Sequence, residues 1–106
     1  MKHEIHYTED ALNDMDLLDN SQRKQVKKAI FKVSTNPLPK KEGGYGNPLG
    51  NKGGTNLTGL MKIKLLKLGI RVVYQLIRVD KIMKVIVIAA RSEDLVYKEA
   101  SKRITD

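Results

Sequence analysis

Two segments between Leu60 and Arg78 alternate apolar and polar residues, and a third, at residues 82–88, is apolar on both faces; short turns separate the three. Alternation with a period of two is typical of half-buried strands, and a short apolar run suits a central strand that is covered on both sides. We therefore predict strands at residues 60–66, 70–78 and 82–88. The first turn contains Leu68-Gly69 and the second Val79-Asp80-Lys81. The pattern predicts an antiparallel meander around which the rest of the chain is arranged.

The N-terminal part predicts a short strand at residues 3–7 followed by two helices. Thr8 and Ser21 are placed to cap them, because a side-chain oxygen can accept a hydrogen bond from a free N–H of the first turn. The second helix has one apolar stripe to bury, formed by Val26, Ala29, Ile30 and Val33. Proline cannot continue a helix, so Asn36-Pro37-Leu38-Pro39 ends it.

Ser92 is predicted to cap a C-terminal helix that turns Val96, Ala100 and Ile104 inward and carries Tyr97 on its flank. Residues 40–58, in contrast, are rich in glycine and basic residues. They contain no GxxxxGK[ST] or GxGxxG pattern that follows a strand and opens a helix. We therefore predict one long, flexible, basic loop in this segment, of the kind that is often functional.

These elements predict an α+β fold: an antiparallel four-stranded sheet with an N-terminal helical hairpin packed on one face and a short C-terminal helix. At 106 residues the chain is expected to form a single domain, residues 1–106. Strand side chains alternate between faces, so Lys62 and Lys64 share a face. A two-residue loop at Leu68-Gly69 would place Arg71 and Gln75 beside them.

Twenty Lys and Arg against twelve Asp and Glu give a net charge of +8, with the cations concentrated from Arg23 onward. Such a domain is expected to attract a polyanion or an acidic protein, although a solvated lysine surface explains the charge equally well.

There is no cysteine and no apolar run that could cross a bilayer. We therefore expect a cytoplasmic protein without a membrane partner. His3 and His6 lie on opposite faces of one strand and are expected at the surface or an edge.

Four fragments of the chain resemble the RelE family of bacterial toxins in the RelE/ParE superfamily, in the order and spacing of that family. They are Lys62-Ile63-Lys64-Leu65, Gly69-Ile70-Arg71-Val72-Val73-Tyr74-Gln75, Arg91, and Val96-Tyr97-Lys98-Glu99-Ala100-Ser101-Lys102-Arg103-Ile104. In the N-terminal helical hairpin only the architecture matches. The chain departs from the family pattern in the longer loop at 40–58 and in Ala89-Ala90, where a glycine and a basic residue are more usual.

The resemblance implies the toxin of a type II toxin-antitoxin system, a ribosome-dependent endonuclease that cuts messenger RNA in the ribosomal A site without metal or cofactor. Its implied partners are a RelB-like antitoxin, the ribosome and messenger RNA, with DNA contacted only through the antitoxin complex. The residues that match the family's catalytic positions are Lys62, Lys64, Arg71, Arg91 and Tyr97. Further RNA contacts are expected from Lys40, Lys41, Lys52 and Gln75.

Cleavage by a 2′-hydroxyl needs a base, an acid and donors that stabilise the extra charge on the phosphate. Arg71 and Arg91 suit charge stabilisation, because a guanidinium binds phosphate oxygens in a bidentate fork. Cations crowded on one face favour the loss of one proton. Lys62 or Lys64 is thus the base and the other the acid or phosphate anchor, and the sequence leaves that choice open. Tyr97 is expected to stack on an unpaired base, with proton transfer or packing as alternatives.

The residues by themselves are also compatible with two other functions. ParE-like members of the superfamily poison DNA gyrase and would use this fold without the catalytic set. A nonenzymatic nucleic-acid-binding module would account for the charge, and it predicts salt-sensitive RNA binding with no new RNA ends.

Overall fold

The computed structural model describes residues 2–52 and 55–105, with side chains at all of these positions except 50–52, 55–58, 93, 94 and 105. The elements in chain order are β1 (Glu4–Tyr7), α1 (Glu9–Asp16), α2 (Asn20–Ser34), a 3₁₀ helix (Lys40–Glu42), β2 (Asn47–Lys52), β3 (Thr55–Leu65), β4 (Ile70–Ile77), β5 (Ile82–Ala89) and α3 (Glu93–Thr105). Across the described ranges, none of the helices has the length and apolar character that a membrane span requires.

The strands form one five-stranded mixed sheet in the order β1-β5-β4-β3-β2. β1 runs parallel to β5, and the other neighbours are antiparallel. The α+β class is confirmed, whereas the prediction of a four-stranded antiparallel sheet is wrong. Alternation looks the same in either chain direction, so the pattern of β1 could not reveal that it runs parallel to a strand near the other end of the chain.

The prediction of one loop over residues 40–58 is also wrong, because this segment contains the 3₁₀ helix, β2 and the start of β3. β2 pairs antiparallel with β3, with a register irregularity after Pro48. Its sequence, NPLGNK, does not alternate. A proline is tolerated there because β2 is an edge strand of the sheet. Gly53 and Gly54 lie outside the described residues.

Both N-terminal helices begin at side-chain caps. Thr8 Oγ1 accepts a hydrogen bond from Ala11 N at 3.0 Å, as predicted. The cap of α2 is Asp19 rather than Ser21: Gln22 N donates to Asp19 Oδ1 at 2.8 Å, and Asp19 N donates to Gln22 Oε1 at 3.1 Å. This reciprocal capping box satisfies two backbone donors, whereas a serine cap at position 21 would satisfy one.

The two faces of the sheet carry separate hydrophobic clusters. Side chains of α1 and α2 cover the first face, where the buried sheet residues include Met61, Ile63, Val72, Tyr74 and Val85. α3 covers part of the second face, where the cluster includes Leu60, Val73, Val87, Val96, Tyr97 and Ala100. The predicted packing of the helical hairpin on one sheet face is therefore observed, and α3 lies on the other face.

Two side chains lie elsewhere than predicted. His3, expected at the surface or an edge, is buried, and its backbone N–H donates to Ser34 O at 2.8 Å, which joins the start of the chain to the end of α2. In α3, Val96 and Ala100 face inward as predicted, but Ile104 is 38 % exposed. The last turn of α3 therefore contributes less apolar packing than the sequence pattern predicts.

Tyr74 connects the central strand to the segment that follows α2. It is fully buried, and its hydroxyl donates to Pro37 O at 2.8 Å. A Cβ at Gly46 would come within 2.7 Å of this hydroxyl, so the close approach requires glycine. Burial raises the pKa of Tyr74 above the ordinary value of tyrosine.

Replacing Tyr74 with phenylalanine should lower the free energy of unfolding at pH 8 by about 1–2 kcal/mol, because the Pro37 carbonyl loses its donor. The folded-state pKa of Tyr74 is raised, so the tyrosine's contribution is complete below its unfolded pKa and is lost as the pH rises above it. The difference between the two proteins should therefore shrink by about 1.4 kcal/mol at pH 11. Chemical denaturation at the two pH values measures this.

Tyr45→Phe is the matched control, because the Tyr45 ring is 46 % exposed and lies under Lys32 Nζ at 5.5 Å. Its loss of a hydroxyl should change the free energy of unfolding at pH 8 by less than about 0.5 kcal/mol. Equal losses in the two variants would contradict a specific role for the Tyr74 hydroxyl.

Candidate functional site

The candidate site lies on the sheet face opposite the α1–α2 hairpin and is built from two rows that cross β3, β4 and β5. The rows are Lys64, Arg71 and Ala89, followed by Lys62, Val73 and Val87. Residues directly opposite each other on antiparallel strands point to the same face. The two lysines and the strand arginine therefore share one face, as the sequence predicted.

The hairpin between β3 and β4 differs in detail from the predicted one. A loop at Leu68-Gly69 would place Leu66 opposite Arg71, but the structure has Lys64 there and a turn over residues 66–69. The two registers differ by two residues along β3. A shift of two keeps each side chain on its face, so the predicted face is unchanged. Gly69 adopts a φ of 65°, which favours glycine in this turn.

Arg71 is oriented by the segment that follows β5. Its Nη1 donates to the backbone oxygen of Arg91 at 2.7 Å. Its Nε is buried and has no hydrogen-bond partner within the part of the chain that the structure describes. A buried donor without a partner is unfavourable. The guanidinium is held in place by the protein through Nη1.

Tyr97 contacts the site through the face of its ring. Lys62 Nζ lies 5.8 Å from the ring centroid, within the range of a cation–π interaction. The ring itself is packed in the cluster with Val73 and Val87, and Tyr97 is only 4 % exposed. The predicted proximity of this tyrosine to the lysines is therefore present. Its small exposed surface leaves little room for an RNA base to stack on it.

Arg91 reaches the site through its backbone. Its carbonyl accepts the hydrogen bond from Arg71, whereas its side chain is exposed. Ala89, one of the departures from the family pattern, lies directly opposite Arg71 in β5. A methyl group is therefore all that β5 places beside the Arg71 side chain. The exposed Arg91 guanidinium is placed to contact a polyanion that enters from solvent.

Lys40 and Lys41 lie on a different part of the surface. Both are exposed in the 3₁₀ helix beside Glu42, whose carboxylate accepts two hydrogen bonds from Arg78 at 2.9 and 2.7 Å. The hydrogen bond from Arg78 lowers the pKa of Glu42. The extended segment from Arg71 to Arg78 is roughly 23 Å long. The 3₁₀ helix therefore lies toward the other end of β4.

Gln75 shares the face of Arg71 but lies further along β4, opposite Leu60 and Lys84. It lines a cavity of about 230 Å³ away from the Arg71 guanidinium. The side chain of Lys52, the remaining predicted RNA contact, lies outside the described residues. The structure thus brings together the predicted catalytic positions, whereas Lys40, Lys41 and Gln75 lie apart from them.

Arg103, to which the sequence analysis assigned no role, joins α3 to α1 and β5. Its Nη1 donates to Asp14 Oδ2 and to Ile86 O, each at 2.7 Å, and its Nε donates to Glu99 Oε2 at 2.8 Å. Hydrogen bonding to Asp14, and then to Glu99, raises the pKa of Arg103. The i, i+4 spacing from Glu99 was a visible signal. Asp14 belongs to the first helix, and no local pattern connects it with Arg103.

Comparison with known proteins gives the following similarities. No protein-family model matches the chain. A curated RelE-like toxin protein of Escherichia coli is 31 % identical over 108 residues, which cover 98 % of this chain and 99 % of that protein. The solved structure of a mutant E. coli toxin RelE in the free state has a TM-score of 0.76 and is 30 % identical, over 98 % of this chain and 99 % of that one. Mutant E. coli RelE in complex with a peptide of the antitoxin RelBc has a TM-score of 0.69 and is 28 % identical, over 94 % of this chain and 95 % of that one.

Proposed function

The chain belongs to the RelE family of toxins, and we therefore propose that it is a metal-independent, ribosome-dependent endoribonuclease that cuts messenger RNA in the A site. It is the toxin of a type II toxin-antitoxin system. The observation that carries the nuclease proposal is the shared sheet face of Lys62, Lys64 and Arg71 beside the Arg91 backbone and the Tyr97 ring. Residues 1–106 act as one toxin domain in the cytoplasm, where its ribosomal substrate is found.

The proposed reaction is an attack of an RNA 2′-oxygen on the adjacent phosphorus. The O2′–P bond forms and the P–O5′ bond breaks, which leaves a 2′,3′-cyclic phosphate and a free 5′-hydroxyl. A base takes the proton of the 2′-hydroxyl, and an acid supplies a proton to the departing 5′-oxygen. The protein must therefore provide two proton-transfer groups and donors for the additional negative charge on the phosphate.

Arg71 is assigned to charge stabilisation. Its Nη1 is fixed by the Arg91 carbonyl, which orients the guanidinium on the sheet face that it shares with Lys62 and Lys64. A donor that is oriented before the substrate arrives needs no rearrangement as charge develops on the phosphate. The exposed Arg91 side chain can add a second guanidinium to the same phosphate or to a neighbouring one.

Lys62 and Lys64 are assigned to proton transfer. Their Cα atoms are about 6.6 Å apart along one strand, and their side chains project from the same face, so the two ammonium groups can flank one phosphate. Lys64 is exposed and lies opposite Arg71, whereas Lys62 is half-buried against the Tyr97 ring. One lysine acts as the base for the 2′-hydroxyl and the other as the acid for the 5′-oxygen.

Tyr97 is assigned to the positioning of Lys62 rather than to base stacking. Stacking requires an exposed ring face, and Tyr97 is only 4 % exposed. Its ring instead lies 5.8 Å from Lys62 Nζ, where it restricts the positions that the ammonium group can occupy. In this role the aromatic ring matters more than the hydroxyl.

Ribosomes programmed with messenger RNA should yield cuts whose mapped ends lie in the A site when the wild-type protein is added. Arg71→Ala should lower the cleavage rate on the order of 100- to 1,000-fold, because it removes the oriented charge-stabilising donor. Arg78→Ala is the matched control, since it removes an arginine that pairs with Glu42 away from the site. Its rate should remain within about twofold of wild type.

A wild-type cleavage rate in Arg71→Ala, with its fold verified by circular dichroism, would refute the charge-stabilising role. Absence of A-site cuts together with inhibition of DNA gyrase would favour the ParE-like alternative. Salt-sensitive RNA binding without new RNA ends would favour the nonenzymatic module.

Tyr97→Phe should retain the cleavage rate within about threefold, because phenylalanine preserves both the packing and the ring face toward Lys62. Tyr97→Ala should lower the rate by about tenfold or more, because it removes the ring that restricts Lys62. Single-turnover rates on programmed ribosomes measure both. Equal losses in the two variants would show that the hydroxyl transfers a proton, contrary to the positioning role.

The protein partner of this toxin is a cognate antitoxin, as in the complex of E. coli RelE with a RelBc peptide. We propose that an acidic or amphipathic segment of the antitoxin covers the cationic face, which is the sheet face that carries Lys62, Lys64 and Arg71. A disordered acidic segment can fold against exposed cations. Adding the antitoxin should slow hydrogen exchange at residues 66–69 and 89–92 and should inhibit cleavage. Protection confined to α2 would contradict direct masking.

A further inference from the structure

The edge of β5 is closed partly by side chains rather than by a strand. The pairing of β1 with β5 ends at Val85. Beyond that point Ile88 N donates to Asp14 Oδ2 at 3.0 Å, and Ile86 O accepts from Arg103 Nη1 at 2.7 Å. A strand edge leaves N–H and C=O groups without partners. Here a carboxylate from α1 and a guanidinium from α3 take the place of a neighbouring strand.

Asp14 and Arg103 also bind each other. The contacts are Nη1 to Oδ2 at 2.7 Å and Nη2 to Oδ1 at 3.2 Å, and the two side chains are only 14 % and 16 % exposed. Glu99, one turn earlier in α3, accepts from Nε at 2.8 Å. Arg103 therefore bonds α1, β5 and its own helix at once. The rigid fork of donors makes this possible, whereas a lysine ammonium could not span the same partners.

The position of the C-terminal end of α3 on the sheet depends on these bonds of Arg103. A helix of 13 residues is marginally stable by itself in water. Among the side chains of α3 that the structure describes, the buried apolar ones are Val96, Tyr97 and Ala100, which leaves the last turn without an apolar contact of this kind. Arg103 follows Ala100 by three residues and so lies on the same side of the helix. Its bonds fix the end of α3 that the apolar residues do not.

We propose that Arg103 is a positioning residue: its bonds to Asp14 and Ile86 seat α3 so that the Tyr97 ring holds Lys62 Nζ at the cationic face. The consequence for cleavage rests on the proposed nuclease function. The seating of α3 does not.

Amide hydrogen exchange tests the seating directly. Arg103→Met keeps a long side chain and removes all of its N–H donors. It should speed exchange at Ile88 and through residues 96–100 by about tenfold or more, because α3 separates from the sheet more often when the bonds of Arg103 are absent. Arg78→Met, which removes the bidentate pair with Glu42 elsewhere on the molecule, should leave these amides unchanged. Unchanged exchange in Arg103→Met would overturn the proposal.

Cleavage rates in two backgrounds test the functional consequence. Arg103→Met should lower the single-turnover rate at saturating ribosome about tenfold in the otherwise wild-type chain. In a Tyr97→Ala chain it should lower the rate less than about twofold, because its effect passes through Tyr97. A general loss of stability would instead reduce the rate by the same factor in both backgrounds, and that result would overturn the positioning role.

Asp14→Asn provides a second variant if Arg103→Met does not fold. It keeps the size of the side chain and removes the charge that binds the guanidinium, so the same pattern should appear with a smaller amplitude. An Asp14→Asn protein with wild-type exchange and wild-type cleavage would also overturn the proposal. A wild-type chain that makes no A-site cuts would refute the nuclease function, whereas the exchange experiment would still decide whether Arg103 seats α3.

Discussion

The pairing of β3 with β4 determines where Lys62, Lys64 and Arg71 lie. In β3 the apolar side chains of Met61 and Ile63 alternate with those of Lys62 and Lys64. A slip of one residue would turn both lysines into the cluster beneath the helical hairpin and expose the apolar pair. Burying unpaired charges is strongly unfavourable. The interactions that select this register for stability are therefore the same ones that place the lysines beside Arg71.

The unequal cover of the two sheet faces follows from the same alternation. The α1–α2 hairpin lies over the face that carries Ile63, Val72 and Tyr74, and it buries them completely or nearly so. α3 packs over the row that contains Val73 and does not bury Lys64, which is exposed. Charged groups lose hydration when they are covered, so the region left open coincides with the cationic residues. The site is consequently a surface patch bordered by one helix.

Several carboxylates of the described residues pair with arginines that lie away from the cationic face. Asp14 and Glu99 bind Arg103 on the α1–α3 side, and Glu42 binds Arg78 beyond the end of β4. These carboxylates neutralise arginines that lie apart from the proposed reaction centre.

The features that depend on local periodicity could be predicted from the order of the residues alone. Alternation in residues 60–78 and an apolar run in residues 82–88 identified the strands. Alternation also identified the face shared by Lys62, Lys64 and Arg71, and a stripe of apolar residues identified α2. The resemblance of a few fragments pointed to Arg91 and Tyr97. These signals suffice because the side-chain direction in a strand or helix repeats with a fixed period, whichever partner the element finds.

Contacts between distant segments depend instead on how the whole chain folds. β2 has no strand pattern and is formed by its pairing with β3, and β1 pairs in parallel with β5, which lies near the other end of the chain. The burial of Tyr97 and the bonds of Arg103 to Asp14 likewise depend on how α3 rests on the sheet. Such contacts are selected by the packing of whole elements, and residues that lie far apart in the chain carry no local pattern that records them.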